Sequence, residues 1–140
     1  ETGETRFTFN KKWSASANGA LVMNYFSDGK SLPNIPATLF NLSLNYRPIG
    51  NGLLFFHWRR VGHMYVDRAN TDPAGIIDSY GLWNVGVQYK WKGLEVMAKV
   101  NNIFNKLYET YGYGYEEDGY HAYFWPGAPR NSFINISYTF

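Results

Sequence analysis

The chain has 140 residues, a formal net charge of +2 and no cysteine, which excludes disulfide scaffolds, thiolate metal sites and cysteine nucleophiles. Hydrophobic residues make up 45% and charged residues 17%, so the chain is no disordered tail, and the near-neutral balance gives no electrostatic case for nucleic acid. Aromatics reach 19%, with 14 glycines, and no apolar run is long enough for a transmembrane helix; strands that are only half apolar remain open, as in a membrane β-barrel.

Period-two alternation runs through most of the chain, and a pleated strand separates such alternate residues onto two faces. In chain order it predicts about seven strands, near 5–13, 19–27, 37–47, 52–66, 79–91, 93–104 and 130–140. Phe7, Phe9 and Trp13 share a face in the first, and Leu21, Met23 and Tyr25 form a weaker set in the second. Phe40, Leu42, Leu44 and Tyr46 oppose Asn41, Ser43 and Asn45 in the third. The segment Leu53–Val66 is apolar on both faces at first, then places Arg59 or Arg60 among hydrophobes; a β-bulge near Arg59–Gly62 would reset its alternation.

The remaining strands are cleaner. Trp83, Val85, Val87, Tyr89 and Trp91 oppose Asn84, Gly86, Gln88 and Lys90. Leu94, Val96, Ala98 and Val100 oppose Glu95, Met97, Lys99 and Asn101, and Ile134, Ile136, Tyr138 and Phe140 oppose Asn135, Ser137 and Thr139. The connections read as Ser14–Asn18, Asp28–Pro36, Pro48–Asn51, Asp67–Asp78, Lys92-Gly93 and Asn105–Pro129, so short and long alternate, as in up-and-down membrane barrels. One face is apolar with rings near the strand ends, suiting a membrane interface; the other suits a wet lumen.

From Leu32 onward the chain reads LPNIPATLFNLSLNYRP, VGHMYVDRANT, IIDSYGLWNVGVQYKW, LEVMAKVNNIFNKLYE and PGAPRNSFINISYTF. In series these resemble the C-terminal portion of TonB-dependent outer-membrane receptors, from Leu32 to Phe140. The resemblance implies an all-β, antiparallel up-and-down meander forming part of a barrel of about 22 strands. Residues 1–140 would be its C-terminal segment, without the plug domain. The short turns would be periplasmic and the long connections extracellular. The location implied is the bacterial outer membrane, and the function is energised uptake of a scarce nutrient, an iron–siderophore above all, with no enzymatic activity and no cofactor. The implied partners are outer-membrane lipid, the remaining barrel strands and plug, the TonB energy-coupling complex, the barrel-assembly machinery and a small-molecule ligand such as an iron chelate. The alternatives are a small complete outer-membrane barrel, as adhesin or pore, and a soluble carbohydrate-binding β-sandwich.

Two sets of residues stand out as candidate sites. Tyr111, Tyr113, Tyr115, Tyr120, Tyr123 and Trp125, on the longest connection, could stack on a sugar, a catecholate or a planar chelate. Ile136, Tyr138 and Phe140 resemble the signal read by the assembly machinery, which would work by strand addition to an open edge. No metal site is expected. His57 and His63 lie about 20 Å apart along a strand, and Asp67, Asn70 and Asp72 lack the glycine and distal Glu of a calcium-binding EF-hand loop. No catalytic motif is present.

Overall fold

The computed structural model describes residues 2–140. Eleven strands follow one another: β1 Thr2–Thr8, β2 Trp13–Leu21, β3 Thr38–Tyr46, β4 Gly52–Val61, β5 Met64–Tyr65, β6 Ile76–Ile77, β7 Tyr80–Trp91, β8 Leu94–Asn101, β9 Glu109–Glu116, β10 Tyr120–Pro126 and β11 Asn131–Tyr138. Seven of them form one antiparallel sheet in the order β1-β2-β3-β4-β7-β8-β11. β9 and β10 make a separate hairpin, and β5 and β6 a short ladder. The large sheet has β1 and β11 at opposite ends of its order, so it is an open wall and not a closed small barrel. Among the described residues no second large sheet packs on it, as a sandwich would require. No helix among the described residues is long and apolar enough to cross a membrane, which leaves crossing by strands untouched.

Cross-strand pairing carries the alternation of each strand into a face of the whole sheet. The pairs Phe56↔Val85, Val85↔Val100, Val87↔Ala98, Tyr89↔Val96, Val96↔Ile136 and Ala98↔Ile134 lie on one face. Ala15, Ala17, Leu42, Leu44 and Trp58 continue it through β2, β3 and β4. The other face carries Asn18, Asn41, His57, Asn84, Gln88, Glu95, Lys99, Asn101 and Asn135. Those polar groups meet: Asn41 donates to Asn18 at 2.9 Å, Gln88 and Lys90 both reach Glu95, and Asn101 donates to Asn131 at 2.9 Å. The apolar face has no protein partner; Ile134 and Ile136 are each 68% exposed.

Aromatic rings bound this apolar face at both ends. At the short-turn end Trp13 stacks on Tyr46 at 4.2 Å, with Tyr89, Trp91 and Tyr138 on neighbouring strands. Toward the other end Phe40, Trp58 and Trp83 form a row across β3, β4 and β7, at 5.6 and 5.7 Å. From Trp83 to Trp91 is about 26 Å along the strand. For a tilted strand that is the order of the apolar band of about 25 Å in outer-membrane barrels.

Two expectations need correction. The segment Ser14–Asn18 is not a turn but the middle of β2, and the turn lies at Phe9–Lys12. There the Asn10 side chain accepts from the amides of Lys12 and Trp13, at 2.8 and 3.0 Å, which closes a tight turn. Small alternating Ser and Ala residues imitate turn composition, yet they fit a strand whose neighbours supply the bulk. The second correction concerns β4, which has no bulge: its register with β3 and β7 is unbroken from Leu54 to Val61. Phe55 falls on the polar face because Gly86 opposite it leaves room for the ring. The strand then stops at Val61, and Met64–Tyr65 form a separate short strand after Gly62 and His63.

The two-residue turn Lys92-Gly93 has φ of 44° and 83°, the left-handed pair that a tight hairpin needs. The connections do alternate between short (9–12, 47–51, 92–93) and long (22–37, 62–79, 102–130).

Candidate functional site

All three long connections gather at one end of the wall. Val61, Met64, Val66, Ile77 and Tyr80 form the buried core there, joined by Leu39, Leu82, Tyr108, Ala122 and Phe124. Leu39, Val61, Tyr80 and Leu82 alternate with apolar-face residues, so they belong to the polar face. The connections therefore fold over the polar side of the wall, and the only substantial core of the described residues lies under them.

Asparagines tie the connections together. Asn34, at φ 58°, donates to the Gly112 carbonyl at 2.9 Å and accepts from its amide at 2.8 Å. Asn70 accepts from the Ser31 amide and donates to its carbonyl. Asn102, 4% exposed, donates to the carbonyls of Lys106 and Ala128 and accepts from the Lys106 amide, closing the base of the third connection. Asn105 accepts from the Arg130 amide at 2.9 Å. Asn is the non-glycine residue best suited to left-handed backbone, and its amide then satisfies loop groups that lack ladder partners.

The segment expected as a long loop, Asn105–Pro129, is largely the β9–β10 hairpin, turning at Asp118 and Gly119 with φ of 51° and 119°. Its register pairs Tyr111 with Trp125, Tyr113 with Tyr123 and Tyr115 with His121 on one face. Gly112 with Phe124, and Gly114 with Ala122, lie on the other. The glycine face packs on the core: a Cβ at Gly112 would meet Val66, and one at Gly114 would meet the Tyr120 hydroxyl. The aromatic face has no core beneath it. Tyr111, Tyr113, Tyr123 and Trp125 are between 48% and 57% exposed. Tyr111 meets Trp125 edge-on at 5.3 Å, Tyr115 stacks with His121 at 5.4 Å, and Tyr115 with Tyr123 at 6.3 Å.

Of the six ring candidates, the structure thus brings five together as one ladder about 13 Å long: Tyr111, Tyr113, Tyr115, Tyr123 and Trp125. Tyr120 is on the opposite side, where its hydroxyl donates to Asp67 Oδ2. Burial first, then that hydrogen bond and the Asp67 charge, hold the Tyr120 phenol above the ordinary tyrosine value. Asp67 also accepts from the Asn70 amide, and Asp72 caps the short 3-10 turn Pro73–Gly75 by accepting from Ala74. These acidic groups serve loop structure, and no group of three or more metal-ligating side chains occurs among the described residues. His121 joins the ladder, opposite Tyr115. The signal for it was the repeat Tyr-Gly-Tyr-Gly-Tyr followed by Tyr-His-Ala-Tyr-Phe-Trp, an alternation as strict as that of the wall.

Such a ladder offers flat π faces and phenol donors but no cation, so it can stack on planar or sugar-like surfaces and accept or donate hydrogen bonds at their edges. At its base lies a groove of about 470 Å³ between the start of β7 and the hairpin, lined by Ser79, Tyr80, Lys106, Tyr108 and Gly127 among others. At the other end of the wall, Ile136 and Tyr138 lie on the apolar face of the edge strand β11, and Phe140 meets the Tyr138 ring edge-on at 5.1 Å.

Residues 3–103 match the family described as TonB dependent receptor-like, beta-barrel. No curated protein matches the chain. Among solved structures, the ferric yersiniabactin uptake receptor FyuA from Yersinia pestis superposes with a TM-score of 0.80 at 21% identity, over 99% of this chain and 23% of that receptor. The ferric citrate transporter FecA, unliganded, gives 0.74 at 25% identity over 91% and 21%. The copper transporter OprC gives 0.74 at 18% identity over 98% and 22%. The chain therefore spans less than a quarter of the length of each of these proteins. Its open seven-stranded meander, its two-faced wall and the match over residues 3–103 agree: the chain belongs to the TonB-dependent receptor family, as part of the β-barrel.

Proposed function

We propose that this chain supplies wall and mouth to an outer-membrane receptor that imports a scarce nutrient, an iron–siderophore chelate, with energy delivered by the TonB complex. The observation that carries this is the aromatic ladder, held on the polar side of the wall and turned away from the core. In a closed barrel that side becomes the lumen, so the rings would stand where a ligand enters. In this reading the long connections are extracellular and the short turns periplasmic. The apolar face meets membrane lipid, and the polar face meets the plug, which contacts TonB. The barrel-assembly machinery would engage the open edge of β11 through Ile136, Tyr138 and Phe140. The uptake receptor for ferric yersiniabactin and the ferric citrate transporter support an iron chelate as cargo; the copper transporter shows that the fold also serves other metals.

The test uses the full-length receptor in iron-starved cells, with radio-iron bound to catecholate, hydroxamate or citrate chelators and copper as control. One ferric chelate should bind and enter, and changing both Tyr113→Ala and Tyr123→Ala should weaken its binding about tenfold or more. Uptake of none of the iron chelates, or unchanged binding by the double variant, would contradict the reading.

A further inference from the structure

The β9–β10 hairpin is a sheet of its own, so each of its strands has an outer edge that no wall strand pairs. In an antiparallel ladder, alternate residues turn both N–H and C=O toward the partner strand, and the residues between them turn both outward. Across the turn the Glu117 amide donates to the Gly119 carbonyl at 3.0 Å. In that register the inward residues are Tyr115 with His121, Tyr113 with Tyr123 and Tyr111 with Trp125. Gly112 on β9, and Ala122 and Phe124 on β10, therefore turn their backbone groups outward. The Asn34 side chain agrees, since it takes both the N–H and the C=O of Gly112.

The two outer edges are finished differently. Asn34 closes the edge of β9 with an amide that copies the pair of bonds a neighbouring strand would make. The edge of β10 has no such cap: among the described residues, nothing bonds to the outward N–H and C=O of Ala122 and Phe124. These groups repeat at strand spacing, about 7 Å from one outward residue to the next. Pro126, with no N–H, ends the edge beyond them. An open row of alternating donors and acceptors is matched by the backbone of another extended chain.

Charge selects the kind of chain. Residues 109–126 include Glu109, Glu116, Glu117 and Asp118 and no lysine or arginine. Glu116, Glu117 and Asp118 are exposed at the turn. An added strand would alternate its side chains as β10 does, with every second one on the face of Tyr123 and Trp125. Those rings are about half exposed, and their π faces attract cations. A basic strand thus gains at the turn and at the rings, whereas an acidic one is repelled.

We propose that the outer edge of β10 is a docking site for an extended basic peptide, which joins the hairpin as a third strand. This goes beyond the import reading and does not rest on it, since the pairing needs neither a chelate nor energy.

The experiment is fluorescence anisotropy of the full-length receptor in detergent, with a fluorescein-labelled decapeptide of alternating lysine and threonine. One control peptide carries N-methyl groups on four consecutive central amides, which removes donors from both of its edges and keeps its charge. A second has glutamate in place of lysine. The lysine peptide should bind, N-methylation should weaken it about tenfold or more, and the glutamate peptide should not bind. Ala122→Pro deletes an outward N–H that no ladder bond uses, so it should keep heat-modifiable mobility and weaken the lysine peptide about fivefold. Glu117→Gln combined with Asp118→Asn should weaken it about threefold. No binding of the lysine peptide, or equal binding of its N-methylated form, would overturn the site, and so would equal binding by wild type and Ala122→Pro. Binding of the glutamate peptide, or no change in the Glu117→Gln, Asp118→Asn variant, would overturn the choice of a basic partner. If Ala122→Pro loses its mobility shift, the N-methylated peptide decides the matter on the unaltered receptor.

Discussion

The β7–β8 pair of the wall and the β9–β10 hairpin are built on the same rule and face different surroundings. In both, antiparallel register sends alternate residues to opposite sides, and one side of each lacks a protein partner. In the wall that side is aliphatic in its middle, with Val85, Val87, Ala98 and Val100, and aromatic only toward the ends. In the hairpin it is aromatic throughout. The opposite sides differ as well. The wall turns Asn84, Gln88 and Lys99 to a wet face, whereas the hairpin turns Gly112, Gly114, Ala122 and Phe124 to a packed one. Alternation fixes which residues share a side; what meets that side must be inferred from chemistry and from neighbours. Aliphatic side chains have no use for water or polar ligands, while phenol and indole rings serve both.

The largest effect should come from putting a charge into the middle of the wall. Val87→Arg in the full-length receptor should cost about 2–4 kcal/mol if the site is near the bilayer midplane, read as a lower denaturant midpoint or loss of the heat-modifiable band. The corresponding charge on the hairpin, Tyr113→Arg, should leave assembly intact. Equal assembly of both variants would break the comparison.

Next come the rings themselves. Tyr123→Ala or Trp125→Ala should each weaken ligand binding by about 1–3 kcal/mol, taking base stacking as the scale for ring stacking. Tyr89→Ala on the wall should leave binding unchanged. Equilibrium binding to whole cells distinguishes the two.

Tyr120 sharpens the contrast, because it sits on the hairpin's packed side. Tyr120→Phe removes the hydrogen bond to Asp67 and should loosen the hairpin by about 1 kcal/mol, after discounting for partial exposure. Amide exchange should quicken over residues 109–126 and stay unchanged in β7 and β8. The phenol is held above the ordinary tyrosine value, so it is neutral in both folded and unfolded chains at neutral pH. Its contribution is therefore fully present below about pH 10 and is lost as pH rises through the higher folded value. Hairpin protection should fall above that point in the wild type, and the Phe variant should lack this Tyr120-dependent part of the loss.

The smallest effect belongs to the wet face of the wall. Asn41→Ala removes one exposed hydrogen bond to Asn18 and should change stability by about 0.5 kcal/mol. A loss as large as that from Val87→Arg would mean that this face is not solvated.

The wall was legible wherever large apolar residues mark one side, as in β3, β7, β8 and β11. It was misplaced at β2, where Ser14, Ala15, Ser16 and Ala17 have too little contrast in size and polarity to show a period. Arg60 suggested a bulge because a charge on an apolar side reads as an error of register; at the end of a strand it needs none. The hairpin's alternation is plain in Tyr111–Tyr115, but its glycines read as loop until their packing on Val66 and Tyr120 gives them a role. Tyr120 could not be separated from the other rings by composition, since its partner Asp67 is far away in sequence. The polar and apolar sides of the wall followed from residue type alone, whereas the gathering of three connections over the polar side depends on asparagine contacts between distant segments.

Because this segment has no cysteine of its own, single introduced cysteines test the account most directly. The measurement is labelling of full-length receptor on intact cells by a membrane-impermeant maleimide, with cysteine at position 87 or 113 and with the imported chelate present or absent. The account predicts fast labelling of Tyr113→Cys, slowed by chelate, and no labelling of Val87→Cys. Labelling of Val87→Cys at the rate of Tyr113→Cys, or labelling of Tyr113→Cys that the chelate leaves unchanged, would contradict it.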